Sequence, residues 1–179
     1  VYAQGSYDLT EKLSMTLGAR YTTEEKTAKV NNGLAFETVY PESDWVPGYV
    51  RTSTEFPEVL NDKEDWSRFT PRVGVEYQYS NDMMFFASYS QGFKSGTFNP
   101  RAEGPEPAVD PEVVDSFEIG VKSEWNDNLR VNATAFYLDH KDRQFVTVLP
   151  SEDNSALSQR LGNIGKSTAS GLELEIEYA

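Results

Sequence analysis

Polar and apolar residues alternate with a period of two through most of this chain. The clearest case is 117–137, read FEIGVKSEW, NDN, LRVNATAFY. Phe117, Ile119, Val121 and Trp125 alternate with Glu118, Gly120, Lys122 and Glu124. After Asn126-Asp127-Asn128, residues Leu129, Val131, Ala133, Ala135 and Tyr137 alternate with Arg130, Asn132 and Thr134. Two such runs joined by a turn-rich tripeptide predict a β-hairpin. One face is apolar with aromatic ends and the other carries charges of both signs, so one side meets water and the other something apolar.

The same rule predicts further strands over 1–7, 13–22, 66–79 and 83–94, a continuation of the 129–137 strand towards 145, and a last strand over 171–178. Leu13, Met15, Leu17, Ala19 and Tyr21 share one face, with Arg20 opposite. Val73, Val75, Tyr77 and Tyr79 share one face, with Arg72 and Glu76 opposite. Phe85, Ala87 and Tyr89 are expected outward and Met84, Phe86, Ser88 and Ser90 inward. Leu172, Leu174, Ile176 and Tyr178 oppose Glu173, Glu175 and Glu177. The polar segments 8–12 and 80–82 read as tight turns. Segments 25–65, 95–111 and 150–170 read as long loops, punctuated by Asn31-Asn32-Gly33, Pro47-Gly48, Pro57 and Pro100.

Tight and long connections therefore alternate, and aromatic residues gather at the strand ends. Tyr7, Tyr77, Tyr79, Phe85, Trp125 and Tyr178 lie beside tight turns; Tyr21, Tyr89, Phe117 and Tyr137 lie towards the long loops. Short turns on one side, long loops on the other and an aromatic girdle at each boundary are the layout of a transmembrane barrel. The expected fold is all-β, an antiparallel up-and-down meander of about seven strands. No run approaches the ~18 apolar residues of a membrane helix. That leaves open a barrel, whose roughly ten-residue strands cross at a tilt.

The chain has 179 residues, no cysteine and a net charge of −13. The absence of cysteine excludes a disulfide framework and thiolate metal ligands. The charge argues against a nucleic-acid partner, which requires a basic face. Acid is dense between 31 and 65, and reads as a solvated loop surface. Val1 falls within a strand pattern and the end of the chain closes on another, so a piece of a longer protein is expected.

Chemistry is sparse. Gly92-Phe93-Lys94-Ser95-Gly96 lacks the spacing and following helix of a phosphate loop and reads as a strand exit. His140, the sole histidine, has Asp139 as its neighbour, which an extended strand turns to the other face; neither a catalytic triad nor a metal site is expected. Recognition residues are sought on the long loops: Tyr40, Trp45, Tyr49 and Arg51 in the first, Phe98, Asn99 and Arg101 in the second. The row Glu173, Glu175, Glu177 reads as a hydrated surface neutralised by cross-strand Lys or Arg such as Lys122 and Arg130, ahead of a calcium site.

The successive segments LSMTLGARYTTEEK, DWSRFTPRVGVEYQYSND, FFASYSQGFKSGTFNP, DPEVVDSFEIGVKSEWNDNLRVNATAFYLDHKDRQ and NIGKSTASGLELEIEYA resemble, in order and spacing, the barrel of a TonB-dependent outer-membrane receptor of the siderophore-receptor type. The resemblance covers nearly the whole chain apart from the loops near 26–65 and 146–160. It implies part of a 22-stranded barrel, open as an isolated fragment, with the plug domain, the TonB-contacting segment and the other strands outside this sequence. It implies Gram-negative outer-membrane location and TonB-energised uptake of a scarce nutrient, most commonly a ferric siderophore. The implied partners are outer-membrane lipid, the receptor's own plug and TonB, with no cofactor and no enzymatic activity. Arg20, Arg72, Glu76, Glu118, Lys122, Arg130, Glu173 and Glu175 would face the plug or the lumen. A substrate-specific porin shares the strand features; a secreted β-sandwich module would place the outward Leu, Val, Tyr and Trp side chains in a core.

Overall fold

A computed structural model describes residues 1–31, 58–102, 105–125, 128–150 and 157–178. Seven strands follow in chain order: β1 (Tyr2–Thr10), β2 (Leu13–Asn31), β3 (Glu58–Ser80), β4 (Met83–Lys94), β5 (Glu112–Trp125), β6 (Leu129–Pro150) and β7 (Leu157–Tyr178). They form one antiparallel sheet in the order β1-β2-β3-β4-β5-β6-β7, and β1 and β7 are its unjoined edges. The expected meander is present and unclosed.

Period-two patterning sets the register. Leu17 lies opposite Val73 and Gly5, Val75 opposite Met15 and Ala87, and Val121 opposite Phe85 and Ala133. The apolar positions thus make one continuous face, with the outward placement of Phe85, Ala87 and Tyr89 as expected. No second layer covers this face among the described residues: Leu17 is 50% and Leu172 85% exposed. A sandwich would bury these side chains, so that alternative falls.

Aromatic rings border the face at both heights. Near the tight turns Tyr79 meets Phe85 edge-on at 6.2 Å; near the other end Tyr89, Phe117 and Tyr137 stand in a row at 4.9 and 6.4 Å. Exposed Phe69, opposite Tyr21, adds to the upper row. At the lower border Trp125 Nε1 donates to Ser123 Oγ (3.0 Å), and Ser123 Oγ donates to the Val131 carbonyl (2.7 Å). A polar residue on the apolar face thereby has both its needs met. The tight turns are held locally: the backbone N–H groups of Lys12 and Leu13 donate to Thr10 Oγ1.

On the charged face, small and large residues interlock. Phe86 faces Gly120 and Phe136 faces Gly171 across neighbouring strands. The ring of each occupies the place a Cβ would need. Lys122 Nζ stands 5.6 Å from the Phe86 ring centroid. Arg130 pairs with Glu177 at 3.0 Å, while Glu175 accepts from Asn132 Nδ2 at 2.9 Å. Of the cross-strand cations expected to neutralise the glutamate row, Arg130 does so at Glu177, and Lys122 stands over Phe86. The register puts Asn132, not a cation, opposite Glu175, and Thr134 opposite Glu173.

Two segments expected to be long loops are strand over most of their described residues. β2 and β3 stay paired from Leu13↔Tyr77 up to Asn31↔Glu58, and β6 and β7 up to Pro150↔Leu157. Thus most of 25–31, 58–65 and 157–170 is strand. Above the girdle the outer face of these hairpins no longer meets an apolar medium, so the alternation fades although the ladder continues; Lys63 pairs with Glu25 at 2.9 Å there. β5 likewise starts at Glu112 rather than Phe117.

Candidate functional site

The hairpins differ in height. β3 has 23 residues and β6 22, but β4 only 12 and β5 14. A notch is left above β4–β5, and the 95–111 loop lies across it as a strap. Its two arms meet at Thr97↔Val109, where the Val109 N–H donates to the Thr97 carbonyl at 2.8 Å. On one side the strap packs on β2 and β3. Phe98, Leu60 and Ala102 form a buried cluster with Ala28, Val30, Trp66 and Ala108 around it, and Lys26 Nζ donates to the Gly96 carbonyl at 2.8 Å.

On the other side two amides clamp the strap to β6 and β7. Gln144 and Asn163 are cross-strand partners. Gln144 Nε2 donates to the carbonyls of Ser95 (2.8 Å) and Asp110 (3.1 Å). Asn163 Oδ1 accepts from the Asp110 N–H (2.8 Å), and its Nδ2 donates to the carbonyls of Asp110 (2.9 Å) and Asp142 (2.6 Å). Asp142 is the one non-glycine residue with positive φ, 54°, among the described residues. Asn163 thus takes up the carbonyl that this left-handed residue turns out of the ladder. Beneath the clamp Glu112 pairs with Lys94 (3.0 Å) and His140 Nε2 (3.0 Å) and accepts the Gln144 N–H (2.8 Å).

Residues expected to recognise a ligand are placed as follows. Phe98 is buried in the strap's own cluster. Asn99 is buried too; its Nδ2 donates to Glu106 and to the Gln159 carbonyl, and its Oδ1 accepts the Arg101 N–H. The Arg101 side chain is exposed. A cleft of about 400 Å³ runs between β2 and the strap, bordered by Lys26, Val30, Phe98 and Asn99. Tyr40, Trp45, Tyr49 and Arg51 lie outside the described residues. Arg20, Arg72, Glu76, Glu118, Lys122, Arg130, Glu173 and Glu175 share the face on which the strap sits. Among the described residues no group of three His, Asp or Glu side chains gathers to hold a metal.

A family model described as TonB dependent receptor-like, beta-barrel, matches residues 1–179. The chain belongs to this family. Its fold is similar to that of the ferric yersiniabactin uptake receptor FyuA from Yersinia pestis, at 18% identity and a TM-score of 0.70, over 99% of this chain and 23% of that one. It is also similar to the alcaligin outer-membrane receptor FauA from Bordetella pertussis (18%, TM-score 0.55, over 99% of this chain and 26% of that one). The Serratia marcescens hemophore receptor HasR, solved with its hemophore HasA and heme, matches at 17% with a TM-score of 0.59, over 99% of this chain and 31% of that one. The chain of this TonB-dependent receptor barrel thus spans about a quarter of the length of the first of these structures.

The clamp residues Gln144 and Asn163 escaped sequence reading because nothing marks an amide as a loop anchor until the strand it sits on is known. On the opposite face, just beyond the upper girdle, lies a second polar group. Asp115 Oδ1 accepts from Tyr89 Oη (2.7 Å) and Gln91 Nε2 (2.8 Å), and its Oδ2 accepts from Lys141 Nζ (2.8 Å). These three donors, Lys141 first, pull the Asp115 carboxyl down to about 2 from its ordinary 3.8. A depressed carboxyl stabilises the fold above its ordinary value, and that stability is lost as pH falls through the folded one. Asp115→Asn is therefore expected to lower stability by on the order of 1–2 kcal/mol at neutral pH, allowing for the half-exposed lysine. The difference from wild type should shrink between pH 3.8 and about 2. Urea unfolding of the full-length receptor across that range checks both; a difference that is constant with pH refutes the assignment.

Proposed function

We propose that this chain is a section of the barrel domain of an outer-membrane receptor that takes up a scarce nutrient, a ferric siderophore complex, with energy delivered through TonB. In this reading the apolar face with its two girdles meets lipid tails. Arg20, Arg72, Glu76, Glu118, Lys122, Arg130, Glu173 and Glu175 face the lumen and the receptor's plug domain. The observation that carries the reading is the single sheet with one lipid-compatible face and one charged face, in a chain of this family. A wide barrel with a wet, charged interior leaks unless something fills it, hence the plug and an energy source to move it.

Ligand recognition is assigned to the long-loop side. Arg101 presents a planar bidentate donor from a strap whose backbone is fixed. Phe98 and Asn99 shape that strap, and Tyr40, Trp45, Tyr49 and Arg51 would supply aromatic and cationic contacts from the first long loop. Iron starvation of a host lacking its own receptors tests the reading. The full-length gene should restore growth on at least one ferric siderophore of a panel, and deletion of tonB should abolish the rescue. Growth that survives tonB deletion makes the protein a porin; no rescue with any siderophore rejects the cargo class.

A further inference from the structure

The chain carries a net charge of −13, yet its outer face just above the upper girdle holds three neighbouring exposed cations, Lys141 and Arg143 on β6 and Lys166 on β7. Lys141 and Lys166 are direct cross-strand partners, an arrangement in which like charges repel. Each is tied to a carboxylate, Lys141 to Asp115 at 2.8 Å and Lys166 to Asp139 at 3.0 Å. The acids are recessed and the cations are not: the side chains of Asp115 and Asp139 are 11% and 16% exposed, those of Lys141 and Lys166 50% and 59%. Arg143 has no ion-pair partner among the described residues. The patch therefore shows an outside ligand three positive heads over two sunken negative ones. Elsewhere at this height the outer face differs: on β2 and β3, Lys63 is matched by Glu25 with Asp65 alongside.

We propose that Lys141, Arg143 and Lys166 form a docking site for the phosphate-bearing headgroup of an outer-leaflet lipid. The place fits the ligand. The Tyr89–Phe117–Tyr137 row directly below marks where acyl chains give way to headgroups. An anion lodged between the two ammonium groups removes their mutual repulsion, and the unpaired guanidinium of Arg143 supplies a bidentate phosphate donor. Lys141 stays charged throughout the physiological range, since its bond to Asp115 raises its pKa. The proposal rests on the outer-membrane placement above.

The test uses the full-length receptor in a mild neutral detergent, with diphosphorylated lipid A as the probe. Lipid A is expected to raise the thermal unfolding midpoint. The triple variant Lys141→Gln, Arg143→Gln, Lys166→Gln should bind it at least roughly tenfold more weakly. Arg143→Gln alone, which breaks no internal ion pair, should weaken it roughly threefold without changing the lipid-free midpoint. Lys63→Gln should bind as wild type. The proposal is overturned if the triple variant keeps the wild-type shift, if dephosphorylated lipid A gives the same shift, or if inorganic phosphate alone reproduces it. A receptor that does not sediment with the outer membrane defeats the placement; one that does, yet ignores the phosphates, defeats only the docking site.

Discussion

Gly120→Val is expected to destabilise the full-length barrel by about 3 kcal/mol, the upper end for overpacking. A Cβ at position 120 would lie 2.5 Å from the Ala133 carbonyl oxygen and 2.6 Å from the Phe86 ring. The ring has some freedom to turn away, although Lys122 stands over it. The carbonyl has none, because it belongs to the backbone of β6, paired with β5 on one side and β7 on the other. Gly171 is a milder case: its missing Cβ would meet only the Phe136 ring, at 2.9 Å, so Gly171→Val should cost less. Gly74 is the control. Only Thr16 Cβ approaches, at an ordinary contact distance of 3.8 Å, so a Cβ there clashes with nothing and valine gains strand propensity. Urea unfolding in detergent of Gly120→Val beside Gly74→Val decides the matter; equal midpoints for the two would show that the interlock of Phe86 with Gly120 contributes nothing.

This packing was half visible in the sequence. Gly120 falls on the polar side of its alternating strand and Phe86 is expected inward, but only the register sets Phe86 against Gly120 and Phe136 against Gly171. The same distinction runs through the whole chain. Between the girdles one face meets an apolar medium and the other a wet one, so composition alternates and strands, faces and tight turns are legible. Beyond the upper girdle the outer face of β2–β3 and β6–β7 no longer meets an apolar medium, and the inner face is covered only where the strap lies on it. Selection on polarity then no longer tracks the pleat in the same way, and 25–31, 58–65 and 157–170 read as loop although their ladders continue, interrupted at Val30/Asn31 and at Asp142. Asn163 lies in that illegible zone, whereas Gln144 sits on the expected continuation of β6 towards 145. Phe98 illustrates a different limit: an aromatic on a long loop reads equally as a ligand contact or as the loop's own core, and here it is the centre of the cluster with Leu60 and Ala102.

The double variant Gln144→Ala/Asn163→Ala should release the strap while leaving the wall intact. Together the two amides make five hydrogen bonds to the strap and to Asp142. Four of the five hold the strap itself, so at somewhat under ~1 kcal/mol net for each the opening free energy of 95–111 falls by about 3 kcal/mol. That is on the order of a hundredfold faster amide exchange for a segment that opens locally. The Val109 amide, bonded to the Thr97 carbonyl, and the Ala102 amide, bonded to that of Asn99, are the reporters. Amides in the paired stretch of β1 and β2 should exchange at their wild-type rates. Uniform acceleration over the whole sheet would mean that the clamp supports the wall rather than the strap, and no acceleration would mean that the packing of Phe98 on Leu60 and Trp66 suffices alone. Gly96 supplies the complementary probe from the opposite side. A Cβ there would sit 2.3 Å from the Val109 carbonyl oxygen and 2.4 Å from the Trp66 ring, so Gly96→Ala pries the strap from β3 with both amides in place. If Arg101 recognises the cargo, both variants should weaken its binding by dispersing the guanidinium over many positions, and the loss should track the exchange rate of Ala102 rather than the global stability.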